Sequence, residues 1–358
     1  MRLTADKGSN PPHLHAEGTT SSIMWSVILC LLPAGLWGIW LYGLRALLVV
    51  AIAIASALVC EWITGRFVPG MRVADGSALL TGLLVGYNLP PTVPFHVPAL
   101  ASFFAIVVVK GFFGGLGANW MNPALGGRLF AFLSWPAAFT TWSAPRLWPA
   151  TTGLGTLTPL AASVGSSAVG PVALLAQQSY PTSPWSAAVA SWLSQKVGFS
   201  LDPHYLDLLA GTVPGNTGEV SVVLLLLGTI YLFRKRIITW SIPLSFLWSF
   251  ALLIWIFGGL PGGGRLFSGD VVFHLFSGGV VLGAFFMATD PVTSPSTRRG
   301  AVIFGIGAGG FAFLIRMVGE PTEAVAFAIV LMNIAVPAID RLTRRSADQR
   351  QARARGGS

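Results

Sequence analysis

Residues 281–300 read VLGAFFMATDPVTSPSTRRG, and the fold turns on them. An apolar run stops at Met287. Pro291 and Pro295 follow; neither carries a backbone N–H, so a helix breaks here. Thr289, Asp290, Thr293 and Ser294 place oxygens around that break. In a bilayer, non-helical backbone survives only where protein buries it or a wet cavity receives it. The stretch therefore reads as the site-forming part of a membrane protein.

The pattern occurs once before. GLLVGYNLPPTVP, residues 82–94, also ends an apolar run. A shift of 201 positions (291 − 90) carries Pro90, Thr92 and Pro94 onto Pro291, Thr293 and Pro295. Paired breaks in two halves point to an internal repeat with its site near the membrane midplane. Two unrelated loops would also attract Pro and Thr, which is the plainer alternative.

Composition agrees with a membrane protein. Of 358 residues, 53% are hydrophobic and 10% charged, with a mean hydropathy of +0.70. Soluble domains carry roughly 25% charge. The net charge of +9 is confined to tails and short loops, the pattern of the positive-inside rule rather than of a nucleic-acid surface. Cys30 and Cys60 sit in apolar runs and read as packing residues. No CxxC, HExxH or GxxxxGK[ST] occurs, so iron–sulfur ligation, zinc catalysis and ATP hydrolysis are not expected of this chain.

Hydropathy predicts ten spans, at about 24–43, 46–62, 77–89, 96–113, 124–139, 219–233, 239–258, 271–288, 300–317 and 324–339. Residues 1–23 form a cytoplasmic tail, 24–140 a first transmembrane repeat and 217–340 a second, and 341–358 a basic cytoplasmic tail. Residues 141–216 hold only Arg146 and Lys196 as basic residues and belong outside the cytoplasm, packed on the outer surface. With both termini inside, Arg234–Lys235–Arg236, Arg298–Arg299 and the C-terminal arginines all fall inside. The first break then ends an outward-going helix and the second an inward-going one. The expected fold is an all-α polytopic protein with five plus five helices in inverted repeats.

Lys110, Arg128, Glu219 and Arg316 lie at or near span ends. Such charges face a cavity or partner, or else snorkel to the headgroups. Glu219 has the further option of capping a helix start.

Four segments carry a resemblance. They are GGLGANWMNPALGGR (114–128), GTVPGNTGEVSVVLLLLG (211–228), MATDPVTSP (287–295) and EPTEAVAFAIVLMN (320–333). In this order they resemble the D subunit of the Rnf ion-translocating electron-transport complex and the related NqrB subunit of the sodium-pumping NADH:quinone reductase. The similarity runs from PPHLHAE (11–17) to AVPAID (335–340). It implies a urea-transporter-like fold in a bacterial inner membrane. It also implies a membrane subunit that relays electrons by flavin between NADH and ferredoxin, coupled to Na⁺ or H⁺ movement. The implied partners are Rnf subunits A, B, C, E and G. In this family a flavin transferase joins FMN through its phosphate to a threonine in a segment like Asp-Gly-x-Ser-Gly-Ala-Thr. Thr158-Pro159-Leu160 falls on the family's Thr-Pro-Leu, which makes Thr158 the implied acceptor and Thr156 the second candidate. Thr152 stands where Asp is expected, Gly155 where Ser is, and Thr156-Leu157 where Gly-Ala is. Asn119, Asn122, Thr289, Asp290 and Thr293 are candidates for a noncovalent second flavin (riboflavin in the sodium pump) or an ion path. A stand-alone channel for a small polar solute, or a membrane scaffold without flavin, are the alternatives.

Overall fold

The computed structural model describes residues 20–69, 71–148, 157–163 and 170–355. Every regular element among them is helical. The first half holds α1 (Thr20–Tyr42), α2 (Leu44–Thr64), α3 (Ser77–Tyr87), α4 (His96–Phe103, continuing as a π-helix over Phe104–Gly111) and α5 (Pro123–Ser134). Four short helices follow: α6 (Pro159–Ala162), α7 (Pro171–Gln177), α8 (Pro184–Val197) and α9 (Pro203–Ala210). The second half holds α10 (Val222–Arg234), α11 (Ser241–Phe257), α12 (Val271–Phe276), α13 (Val280–Leu282, continuing as a π-turn over Gly283–Met287), α14 (Arg298–Val318) and α15 (Ala324–Arg355).

Residues 20–42, 44–64, 298–318 and 324–344 are long and apolar enough to cross a bilayer. Their outward faces carry Leu29, Leu36, Leu44, Ile303 and Leu314, all exposed, as lipid contact requires. The chain is an all-helical polytopic membrane protein.

The remaining helices are shorter than predicted, and the reason lies at the breaks. α3 has 11 residues and α5 has 12, about 17 Å each at 1.5 Å per residue, against an apolar core of roughly 30 Å. Both therefore end at depth. The predicted eighth span is two pieces, because Gly278 and Gly279 take φ of 65° and 69° between α12 and α13. L side chains rarely adopt that backbone, so glycine is needed there. At the other end, α15 runs on to Arg355, beyond the predicted limit near 339.

One core spans both halves, from Leu31, Val49 and Val85 to Phe246, Phe286 and Ile329. α11 packs on α14 and α14 on α15; α2 packs on α3 and α4. α1 meets α10, and α5 meets α15, joining the halves. The described part of 141–216 has its own small core of Trp148, Leu160, Val172, Leu175, Tyr180 and Leu208, seated on Phe273 of α12.

Candidate functional site

Three cavities follow one another between the halves. The inner cavity lies against the end of α10, the start of α3 and the break after Met287. Its walls are mostly apolar, from Ile23, Leu80, Leu84, Phe285 and Phe286. Its polar groups include Asn119, Asn122, Thr289 and Asp290, drawn from two segments far apart in the sequence, with Ser77, Thr81 and Lys110 on another wall.

Local bonding explains how they are held. Asn122 caps α5, its Oδ1 accepting from Ala124 N at 3.0 Å and Leu125 N at 3.3 Å. Its Nδ2 donates to Met287 O at 3.3 Å, which ties the cap to the end of α13. Thr289 Oγ1 donates to Phe285 O at 2.7 Å. Asp290 Oδ1 accepts from Val292 N at 3.0 Å, closing the turn around Pro291. Asn119 Nδ2 donates to Met121 O at 3.0 Å, while its Oδ1 is buried with no hydrogen-bond partner. Thr293 lies behind the cavity wall and serves through its backbone, its carbonyl accepting from Asn333 Nδ2 at 3.0 Å. Asn333 Oδ1 accepts from Asn122 N at 3.2 Å, so one α15 side chain bridges both segments. Asn333 closes the quoted motif EPTEAVAFAIVLMN, yet nothing in its local pattern marks it as a bridge; only the fold brings the two segments to it.

Above Met287 lies a smaller cavity. Arg128 on α5 sits there, 3% exposed. Its Nε donates to Glu323 Oε2 at 2.7 Å and its NH2 to Glu323 Oε1 at 2.8 Å, a bidentate pair. Its NH1 donates to Asn88 O at 2.7 Å and Asn88 Oδ1 at 3.0 Å. Glu219 Oε2 approaches to 3.9 Å, and Asn216 Nδ2 donates to Glu219 Oε1 at 2.8 Å. One guanidinium thus holds two carboxylates from the other half and the broken end of α3. Arg128 does not snorkel.

Arg316 does not snorkel either. Its NH1 donates to His274 O at 2.6 Å, and its NH2 to the carbonyls of Ser277 and Gly278 at 3.2 Å. The break between α12 and α13 leaves those carbonyls without helical donors, and Arg316 supplies them. Lys110 is paired with Glu61 at 2.7 Å, both fully buried. Glu61 is the acidic residue the span count passed over, and a carboxylate within the apolar run AIASALVCEWIT was its available signal.

The outer cleft is lined by Thr158, Trp142, Asn216, Glu219, Ser277 and Thr322. Thr158 is 8% exposed and caps α6, its Oγ1 accepting from Ala161 N at 3.1 Å. Tyr180 OH donates to Leu157 O at 2.7 Å and pins the preceding residue. Ser277 Oγ, in the same cleft, has no hydrogen-bond partner. Thr156, like Thr152 to Gly155, lies outside the described residues.

Comparison with known proteins agrees with this architecture. The NQR2, RnfD, RnfE family matches residues 7–348. The D subunit of the proton-translocating ferredoxin:NAD(+) oxidoreductase complex of Clostridium ljungdahlii is 40% identical over 341 residues, covering 94% of each chain. The D subunit of the Na(+)-translocating ferredoxin:NAD(+) oxidoreductase complex of Acetobacterium woodii is 38% identical over 339 residues, 94% of this chain and 93% of its own. The D subunit of the ion-translocating oxidoreductase complex of Stutzerimonas stutzeri is 39% identical over 352 residues, 94% of each. A match over almost the whole length places this chain in the NQR2, RnfD, RnfE family.

Proposed function

We propose that this chain is the flavin-carrying membrane subunit of an Rnf-type complex, which couples electron transfer between NADH and ferredoxin to Na⁺ or H⁺ movement. The observation that carries the proposal is the inner cavity. It gathers Asn119 and Asn122 from one motif and Thr289 and Asp290 from another, in a family whose named relatives are subunits of such complexes. A largely apolar cleft with a few convergent polar groups is what a planar cofactor needs. The residues fit riboflavin there: the walls offer Phe285, Phe286 and Leu84 to a ring, and Asn119 Oδ1 is an unpaired acceptor for a ring N–H. When bound, the flavin supplies the redox chemistry, and the chain positions it and sets its electrostatic surroundings.

A second flavin, FMN, is assigned to Thr158. The hydroxyl lines the outer cleft beside the unpartnered Ser277 Oγ, which supports a phosphoester at that position. The flavin transferase must reach a side chain that is buried once the loop has packed, so attachment precedes packing. The architecture favours five-plus-five inverted repeats, because α1 meets α10 and α5 meets α15, as helices equivalent by a two-fold do. Both termini then lie in the cytoplasm of a bacterial inner membrane, and Rnf subunits A, B, C, E and G are the partners. A plain solute channel fits less well, since the Arg128–Glu323 pair closes the space between the inner cavity and the outer cleft.

The test is flavin fluorescence in a denaturing gel, with intact mass, of the subunit from cells that express the transferase. A fluorescent band with one FMN increment is expected, lost in Thr158→Val with the subunit still inserted. Flavin retained in that variant overturns the Thr158 assignment, and a dark wild-type band overturns covalent attachment.

A further inference from the structure

One wall of the inner cavity carries a cluster that flavin binding leaves unused. Lys110, on the π-helical part of α4, is 1% exposed. Its Nζ donates to Glu61 Oε1 at 2.7 Å, to Glu61 Oε2 at 2.8 Å and to Ser77 Oγ at 2.6 Å. The Ser77 hydroxyl in turn donates to Asp75 Oδ1. Asp75 is half-buried, next to the exposed Arg72, Val73 and Ala74. Lys110 and Ser77 both line the cavity. A continuous chain of hydrogen bonds therefore links the protein surface to the cavity wall.

Structural duty accounts for only part of this cluster. The start of α3 needs Asp75 to accept from Ser77 N, which it does at 2.8 Å. That turn uses neither the Ser77 hydroxyl nor Lys110. A buried ion pair is also weak as a source of stability, because apolar residues of equal volume often do as well. What the cluster adds is an ammonium at the cavity wall whose third N–H, held on Ser77 Oγ, lies on a hydrogen-bonded chain to the surface.

We propose that Asp75, Ser77 and Lys110 deliver protons from the surface to the redox-active ring held in the inner cavity. This rests on the reading that a flavin occupies that cavity. Lys110 Nζ gives one proton to a ring nitrogen for each electron that the reduced donor of the complex passes to the ring. Lys110 keeps two N–H groups on Glu61 and gives up the one it holds on Ser77 Oγ, and the Ser77 hydroxyl turns from Asp75 to replace it. Ser77 takes its replacement by way of the Asp75 carboxylate, which passes it in from water at the surface. The charged groups facing Lys110 are Glu61 on α2 and Asp75 ahead of α3; Asp290 faces it from the far side of the cavity, after α13.

The experiment uses the intact complex in stopped flow, following reduction of the noncovalent flavin by absorbance across a pH series in H₂O and D₂O. Asp75→Asn and Ser77→Ala are expected to slow this phase at least about tenfold, the low end of what a positioned proton donor contributes. The midpoint potential of the flavin stays unchanged, because a relay alters rate and not equilibrium. Ser77→Thr, which restores a hydroxyl, recovers the wild-type rate and isotope effect. Wild-type rates in both Asp75→Asn and Ser77→Ala overturn the relay. So does a Ser77→Thr variant as slow as Ser77→Ala, or a loss confined to Asp290→Asn. The cavity reading is checked separately with Thr81→Trp, which fills the space and should remove one noncovalent flavin from an acid extract. Full flavin content in that variant overturns the cavity assignment, and the relay with it.

Discussion

Arg128 joins more of the chain than any other side chain in the candidate site. It meets Asn88 and Glu323 directly and Glu219 at longer range. Arg128→Leu leaves Glu323 buried without its partner, and removing one member of such a pair costs about 3–5 kcal/mol. Thermal unfolding in detergent should report that loss, and Glu323→Gln should rescue part of it in the double variant. That Arg128 matters was legible from its sequence, since a charge beside Gly126 and Gly127 in an apolar run needs a partner. The partner was not legible. Glu323 reads as part of a short outer turn, and only the packing of α5 on α15 brings the two together. The same holds for Asn333.

At the scale of elements, close helix approach depends on small residues. On α14, Gly305 and Gly309 face α11 one turn apart. A methyl group at Gly309 would lie 2.4 Å from Phe246 O and 2.1 Å from Ser249 Oγ, inside any tolerable contact. Gly309→Ala should cost about 1–3 kcal/mol by overpacking and lower the melting temperature of the subunit. The short helices between the halves depend instead on Asp207. Its carboxylate accepts from Ser183 N and Ser186 Oγ, both at 2.9 Å, and from Thr212 Oγ1. Burial raises its pKa above the usual carboxylate value, although those three donors pull the other way. A raised value means that the packed loop holds the proton more tightly than the unpacked one. Its contribution is complete below about pH 4, the ordinary range for aspartate, and is lost as pH rises through the folded value. Limited proteolysis of the loop should therefore speed up as pH rises from about 4, and Asp207→Asn should flatten that dependence. The breaks after α3 and after α13 were readable from proline; the one between α12 and α13 was not, and the predicted eighth span ran unbroken over it. The π-turns in α4 and α13 were not, because a π-turn changes which carbonyl is bonded and leaves hydropathy untouched.

Across the whole molecule, the two candidate motifs meet although 287–295 lies far from 114–128 in the chain. Naming them together as candidates followed from the family resemblance, not from the two similar breaks, and residues of both line the inner cavity. The ion is less readable. Relatives at 40% and 38% identity are named for protons and for sodium respectively, so overall similarity does not separate the two. A direct measurement on proteoliposomes holding the whole complex should separate them: a sodium mover accumulates Na⁺ even with a protonophore present, and a proton mover shifts the internal pH without Na⁺, a shift that the protonophore abolishes.

The Arg128–Glu323 pair also has a consequence for how the protein is made. The two residues are 195 positions apart. At about 5–20 residues per second, Glu323 leaves the ribosome some 10–40 s after Arg128. Throughout that interval the guanidinium lacks its bidentate partner, and for the first part of it Glu219 as well. The first five helices therefore cannot settle into their final arrangement when they enter the membrane. They wait, with Arg128 solvated or lent to another group, until α15 arrives and closes the structure.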